Sequence, residues 1–238
     1  MFFRFIKIEI VAPVFFGAVL SLVICTVLAV SIDNYLKPAP EIALEIDIEE
    51  EDVEYEDFTH FFSRAEKDAD LILNMYRNPE HSEWVIKFFT GICSSRDIAA
   101  AILDNSDTYE ISPALAFALS WEESQFNPRA INRSNSDGSI DRGLFQLNNR
   151  SFPHLDLASF FDIGLNSRHG IAHLRHCLNL SGNEITALAM YNAGSGRVRG
   201  HGAPRVTLDY INRILNNREK IEKRFEERLN SLLITINE

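Results

Sequence analysis

The chain has 238 residues, with 23 Lys and Arg against 34 Asp and Glu, for a formal net charge of -11. Ten of the acidic residues fall in 41–57 with no Lys or Arg among them, so the other 23 basic and 24 acidic residues nearly cancel. A near-neutral body argues against a nucleic-acid binder, which needs a basic face to neutralise phosphates.

The first element is a membrane signal. Residues 1–9 carry Arg4 and Lys7, and 10–32 are 23 residues without a charge. At 1.5 Å rise per residue such a helix is about 35 Å long, enough for a hydrocarbon core of roughly 30 Å. A cleaved signal peptide has a shorter apolar region, about 7–15 residues, so an uncleaved transmembrane anchor is expected. Ala29-Val30-Ser31 leaves cleavage as the alternative, and Cys25 behind the large Ile24 is a poor lipidation site. The basic flank before the segment and the acidic flank after it place residues 1–9 in the cytoplasm and the rest outside.

Residues 33–57 read as an acidic linker, opening with Lys37-Pro38-Ala39-Pro40 and kept extended by like charges. Ile42, Leu44, Ile46 and Ile48 alternate in it, a strand-like period that leaves a partner-binding strip as the alternative reading. From Phe58 the pattern turns helical, and 58–108 form a helical stretch ahead of the main domain. Phe58, Phe61, Phe62, Ala65, Ala69 and Ile72 recur at helical spacing, Ser82 and Ser95 can cap the next two helices, and Ser112-Pro113 starts another. Residues 131–148 are loop or short-strand material with at most a small hairpin. Helices follow around Gly164–Leu178 and behind Asn183. Four of the eleven glycines lie between Gly194 and Gly202, which reads as a loop, and the end of the chain is one or two helices whose apolar stripe of Ile214, Ile221, Phe225, Leu229 and Leu232 is expected to pack on the domain, with a partner-binding helix as the alternative. The expected fold is mainly α. Cys93 and Cys177 are either a disulfide or two buried thiols; the sequence does not choose.

The stretch 120-SWEESQFN-127 closes an apolar helix with two adjacent glutamates. Leu115, Leu119 and Glu123 share one face, and Ala118 and Glu122 the neighbouring stripe, so either glutamate could look inward. A carboxyl held against apolar surface keeps its proton to higher pH and can act as a general acid.

Four ordered motifs assign the acid. They are Glu123-Ser124-x-Phe126-Asn127-Pro128 with Ala130, then Gly143-Leu144-Phe145-Gln146, then Ala189-Met190-Tyr191-Asn192-Ala193-Gly194, and Thr207-Leu208-Asp209-Tyr210. Together they cover about 109–216, and the segment resembles the catalytic domain of soluble lytic transglycosylases, which share a lysozyme-like fold with goose-type lysozymes. Residues 217–238 follow it as a C-terminal helix. The resemblance implies cleavage of peptidoglycan glycan strands between N-acetylmuramic acid and N-acetylglucosamine. Glu123 would be acid and then base, with no cofactor or metal required. Ser124 and Gln146 would shape the cleft, Tyr191 and Asn192 would contact sugar, and Tyr210 would lie near the reacting centre. Glu122 would be a solvated neighbour. The domain would sit in the periplasm of a bacterial envelope, held to the inner membrane by the N-terminal helix, with the acidic linker available to an envelope partner.

Two departures stand out. Phe145 replaces the family's methionine. Residues 132–148 are similar to the segment of chicken-type lysozymes that carries a second catalytic carboxylate, and Asp141 takes its place there. Asp141 is therefore either a second carboxylate that makes the enzyme a hydrolytic muramidase, or a turn residue. A non-catalytic wall-binding module is the rival from outside the enzymes. His169, His173 and His176 recur along one helix without a carboxylate motif, and read as a surface or groove face, not a zinc site.

Overall fold

A computed structural model describes residues 70–236, with side chains up to Leu232. The membrane segment 10–32, the linker 33–57 and the first turns expected from Phe58 lie outside the described residues. Among the described residues, no helix is long and apolar enough to cross a membrane.

Eight helices and a small sheet make up this part. The helices are α1 (Leu71–Arg77), α2 (Ser82–Cys93), α3 (Arg96–Tyr109), α4 (Pro113–Ser124), α5 (Ile163–Ser181), α6 (Glu184–Ala193), α7 (Ser195–His201) and α8 (Arg205–Ile236). Their starts are set by caps. Asp70, Ser95, Asp162 and Asn183 each accept a hydrogen bond from the backbone N–H three residues on, satisfying a donor the helix cannot. Ser82 is not a cap: it is the first helical residue of α2, and its hydroxyl donates to the Pro79 carbonyl. Ser112 holds the cap position of α4 without a side-chain cap bond, and Pro113 sets the first helical φ.

The small sheet has three strands where a single hairpin was the most expected. Strands β1 (Ile131–Asn132), β2 (Asp141–Arg142) and β3 (Leu147–Asn148) pair antiparallel in that order. The stretch 194–202, expected as a loop, is instead helix α7 between two glycines with positive φ, Gly194 and Gly202. Those glycines close the helix at its ends, and the two inside it weaken it only by about 1 kcal/mol each relative to alanine.

Pro113 to Ser120 of α4 are all buried, so this helix is the hub, covered on every side. It packs against α8 and α3, α3 packs on α5, and α5 on α6. An aromatic cluster locks the hub to its neighbours. Phe117 stacks on Phe89 at 4.1 Å between ring centroids, and Phe88 meets Phe225 of α8 at 5.0 Å. Each fully buried ring contributes about 1.5–3 kcal/mol of burial. Ile214, Ile221, Phe225 and Leu229 of the C-terminal stripe are buried in the same core. α8 runs unbroken through 216 and 217, so the C-terminal helix expected from 217 is the continuation of one that begins at Arg205. Arg218 ties α8 to α6 by gripping both carboxylate oxygens of Glu184. Cys93 and Cys177 are free, buried thiols, and burial pushes both up to about 11.

Candidate active site

The last turn of α4 delivers two carboxyls to the first turns of α8. Tyr210 and Arg213 are three residues apart on α8 and therefore share a face. The Tyr210 hydroxyl donates to Glu123 Oε1 at 2.5 Å. Arg213 donates twice to Glu122 Oε1, from Nε at 2.9 Å and Nη2 at 2.5 Å. Glu122 is thus not the solvated neighbour expected: its side chain is 13% exposed and ion-paired. Only its partner on a distant helix decides this, which is why spacing along α4 could not.

The two carboxyls are left in different surroundings. Burial pushes Glu123 up to about 8, the Tyr210 hydrogen bond pulls back, and the negative charges of Glu122 and Asp141 add to the rise. A glutamic acid that keeps its proton near neutral pH is a competent proton donor, and its conjugate base is a competent acceptor. Tyr210 is itself pushed up by burial and by Glu123, so it stays a hydroxyl donor.

The chain after Ser124 turns sharply. Gln125 and Phe126 both take left-handed φ, 54° and 60°, an uncommon pair for residues with side chains. The turn drops the Phe126 ring into the core beside Trp121 and Phe117. Asn127 then closes the next turn by accepting from the Arg129 N–H. The Phe-Asn-Pro part of the motif is the brace that ends the helix at the acid.

Opposite lies the turn 143–146, clasped from several sides. Ser124 Oγ donates to the Leu144 carbonyl at 2.8 Å, and Tyr191 Oη to the Phe145 carbonyl at 3.0 Å. Gln146 Nε2 donates to the carbonyls of Gly143 and Ala130. Asn166 of α5, fully buried, accepts from the Phe145 N–H and donates to the carbonyls of Arg142 and Phe160. Gly143 has φ +79°, and a Cβ there would lie 2.2 Å from Asn166 Nδ2. Phe145 packs its ring on Gly170 of α5, where a Cβ would fall 2.3 Å from the Phe145 Cβ. Ser124, Gln146 and Tyr191 therefore reach the site mainly by holding this turn. Asn192 is exposed, and its Oδ1 accepts from Thr207 Oγ1 at the start of α8.

Asp141 stands on the middle strand, with Asn132 and Asn148 directly opposite it on β1 and β3. Three amides donate to its carboxylate: Asn132 and Asn135 to Oδ2 at 3.0 and 2.8 Å, Asn148 to Oδ1 at 2.7 Å. It is near enough for its charge to act on Glu123 and on Tyr191. The sheet gathers Glu123 and Asp141 into one electrostatic neighbourhood. Thr207 was marked by the last motif, whereas Arg213, Asn166 and the three asparagines as partners of Asp141 were not picked out by the sequence. An Asn-rich run reads as turns, and a buried Asn in α5 has no local signature. Among the described residues, no group of three or more His, Cys, Asp or Glu is arranged to hold a metal ion.

The family model of the transglycosylase SLT domain matches residues 100–213. Among solved structures, an inactive mutant of lytic transglycosylase Slt from Pseudomonas aeruginosa matches with a TM-score of 0.44 and 19% identity. That match takes in 61% of this chain and 29% of the other, so the chain corresponds to less than a third of that protein.

Proposed function

We propose, on the match of residues 100–213 to the family model of the transglycosylase SLT domain, that the protein is a peptidoglycan lytic transglycosylase that cuts the β-1,4 bond between N-acetylmuramic acid and N-acetylglucosamine without water. The observation that carries the reading is the carboxyl of Glu123, pushed up to about 8 by burial and held by Tyr210. Glu123 gives its proton to the glycosidic oxygen, and the C1–O bond breaks. The acetamido oxygen of the muramic residue supports the positive charge at C1. The Glu123 carboxylate then takes the proton from the C6 hydroxyl, and O6 closes on C1 to leave a 1,6-anhydro end. Proton and charge balance on one residue. Tyr210 positions Glu123; Ser124, Gln146 and Tyr191 hold the opposing turn, and Asn192 faces solvent where sugar would lie.

Asp141 favours a second reading. Its cage of three amides presents a fixed carboxylate whose charge reaches Glu123, and a carboxylate on the far side of the sugar would let water complete the reaction as in a retaining muramidase. Mass spectrometry of digested peptidoglycan separates the two. Anhydro ends are expected from the natural protein and loss of products from Glu123→Gln; reducing ends, abolished by Asp141→Asn, would favour hydrolysis instead. Unchanged activity in Glu123→Gln would remove both. We place the domain outside the cytoplasmic membrane, anchored through 10–32 and spaced from it by 33–57, on the charge pattern of the N-terminal segment.

A further inference from the structure

A group of aromatic rings adjoins the site beside α5. Tyr191, whose hydroxyl holds the 143–146 turn, lies 5.1 Å from the His173 ring. His173 meets Phe152 edge to face at 6.0 Å, and Phe152, His169 and His154 form a triangle of rings, 5.7 Å from Phe152 to His169, 5.6 Å from His169 to His154 and 6.2 Å from Phe152 to His154. Every residue of the group is at least partly exposed. Burial holds His169 and His173 below the usual histidine range, which favours flat, uncharged faces at neutral pH. An aromatic face carries partial negative charge and attracts the slightly positive C–H edges of a partner. A pyranose ring in a β-linked strand presents just such C–H faces, and binding sites pair apolar ring surface with a few polar groups.

We propose that Tyr191, His173, Phe152, His169 and His154 form an aromatic track that contacts the glycan strand, seating sugars beyond the bond that Glu123 cuts. The inference rests on the proposed glycan substrate and adds its path. It gives α5 a second task besides holding Asn166 against the 143–146 turn. Continuity with the reacting centre comes through Tyr191, which feels the charge of Glu123.

The test uses the full chain with Glu123→Gln, so that strands bind without being cut, and peptide-free glycan strands as the probe. In that background Phe152→Leu keeps apolar volume but removes the ring, and His154→Ala removes an exposed ring at the outer end. The pair together is expected to weaken strand binding about tenfold, the scale of losing two aromatic contacts, with an unchanged thermal midpoint in His154→Ala. Affinity unchanged in both variants, with the parent binding normally, overturns the track while leaving the proposed activity intact. If the Glu123→Gln parent itself holds no strands, the substrate reading and the track fall together.

Discussion

Glu122 and Glu123 are neighbours in sequence with opposite surroundings. One faces a guanidinium and the other a phenol. For Glu123 the sign of the pH dependence follows from the shift. Its carboxyl is raised from 4.5 to about 8, so the folded protein holds a proton that the unfolded chain releases. Stability from this group is fully present below 4.5 and declines as pH rises toward 8, and the acid catalysis proposed for Glu123 should decline with the same proton. Two substitutions should move that alkaline limb in opposite directions. Tyr210→Phe removes the hydrogen bond that favours the anion, so the limb shifts to higher pH and turnover falls as Glu123 loses its alignment. Asp141→Asn removes a negative charge that favours the proton, so the limb shifts to lower pH. Initial rates against pH on solubilised glycan measure both; shifts in the same direction would contradict this account of the site.

At the level of elements, the site is three pieces brought to one point: the end of α4, the 143–146 turn and the first turns of α8. The turn has little structure of its own and depends on Asn166, whose amide serves three backbone groups. Asn166→Leu keeps the volume and leaves those groups unpaired in the interior, at about 1–3 kcal/mol each. We expect at least about 3 kcal/mol of lost stability in chemical denaturation, with loss of activity. The motifs made this turn legible as Gly143-Leu144-Phe145-Gln146, because its glycine and glutamine are short-range requirements. Two of its supports, Asn166 and Gly170, were not legible, since they act across folded space. Phe145 in place of methionine becomes intelligible only beside Gly170, whose missing side chain makes room for the ring. The sheet shows the same division. Asp141 stood out in sequence, whereas the two asparagines opposite it depend on strand register, which two-residue strands hardly announce. The helix at 195–201 was hidden by its own glycines.

Across the whole molecule, α8 links the site to the core. Tyr210 lies in its first turns, and Phe225 is sealed among Trp84 and Phe88 of α2. Fifteen residues of helix separate them, about 22 Å at 1.5 Å each. Phe225→Ala should cost about 3–5 kcal/mol, the usual range for a buried phenylalanine, seen as a lower thermal midpoint. Below that midpoint the products should be unchanged, because the grips of Tyr210 and Arg213 on α4 are local. The helical class and the buried stripe of α8 were readable from periodicity alone, since burial of one face is what periodicity encodes. Which helix met which was not, because that depends on side chains far apart in the chain.

The double grip of α8 on α4 also bears on how this chemistry could be moved between scaffolds. Tyr210 and Arg213 hold successive residues, so a graft of the acid needs both helix ends at one crossing and one relative rotation. Copying Glu123 with its flanking motif would transplant the reagent without its clamp. The smallest portable unit is the crossing itself, and the family match closes at Arg213, the second jaw of that clamp.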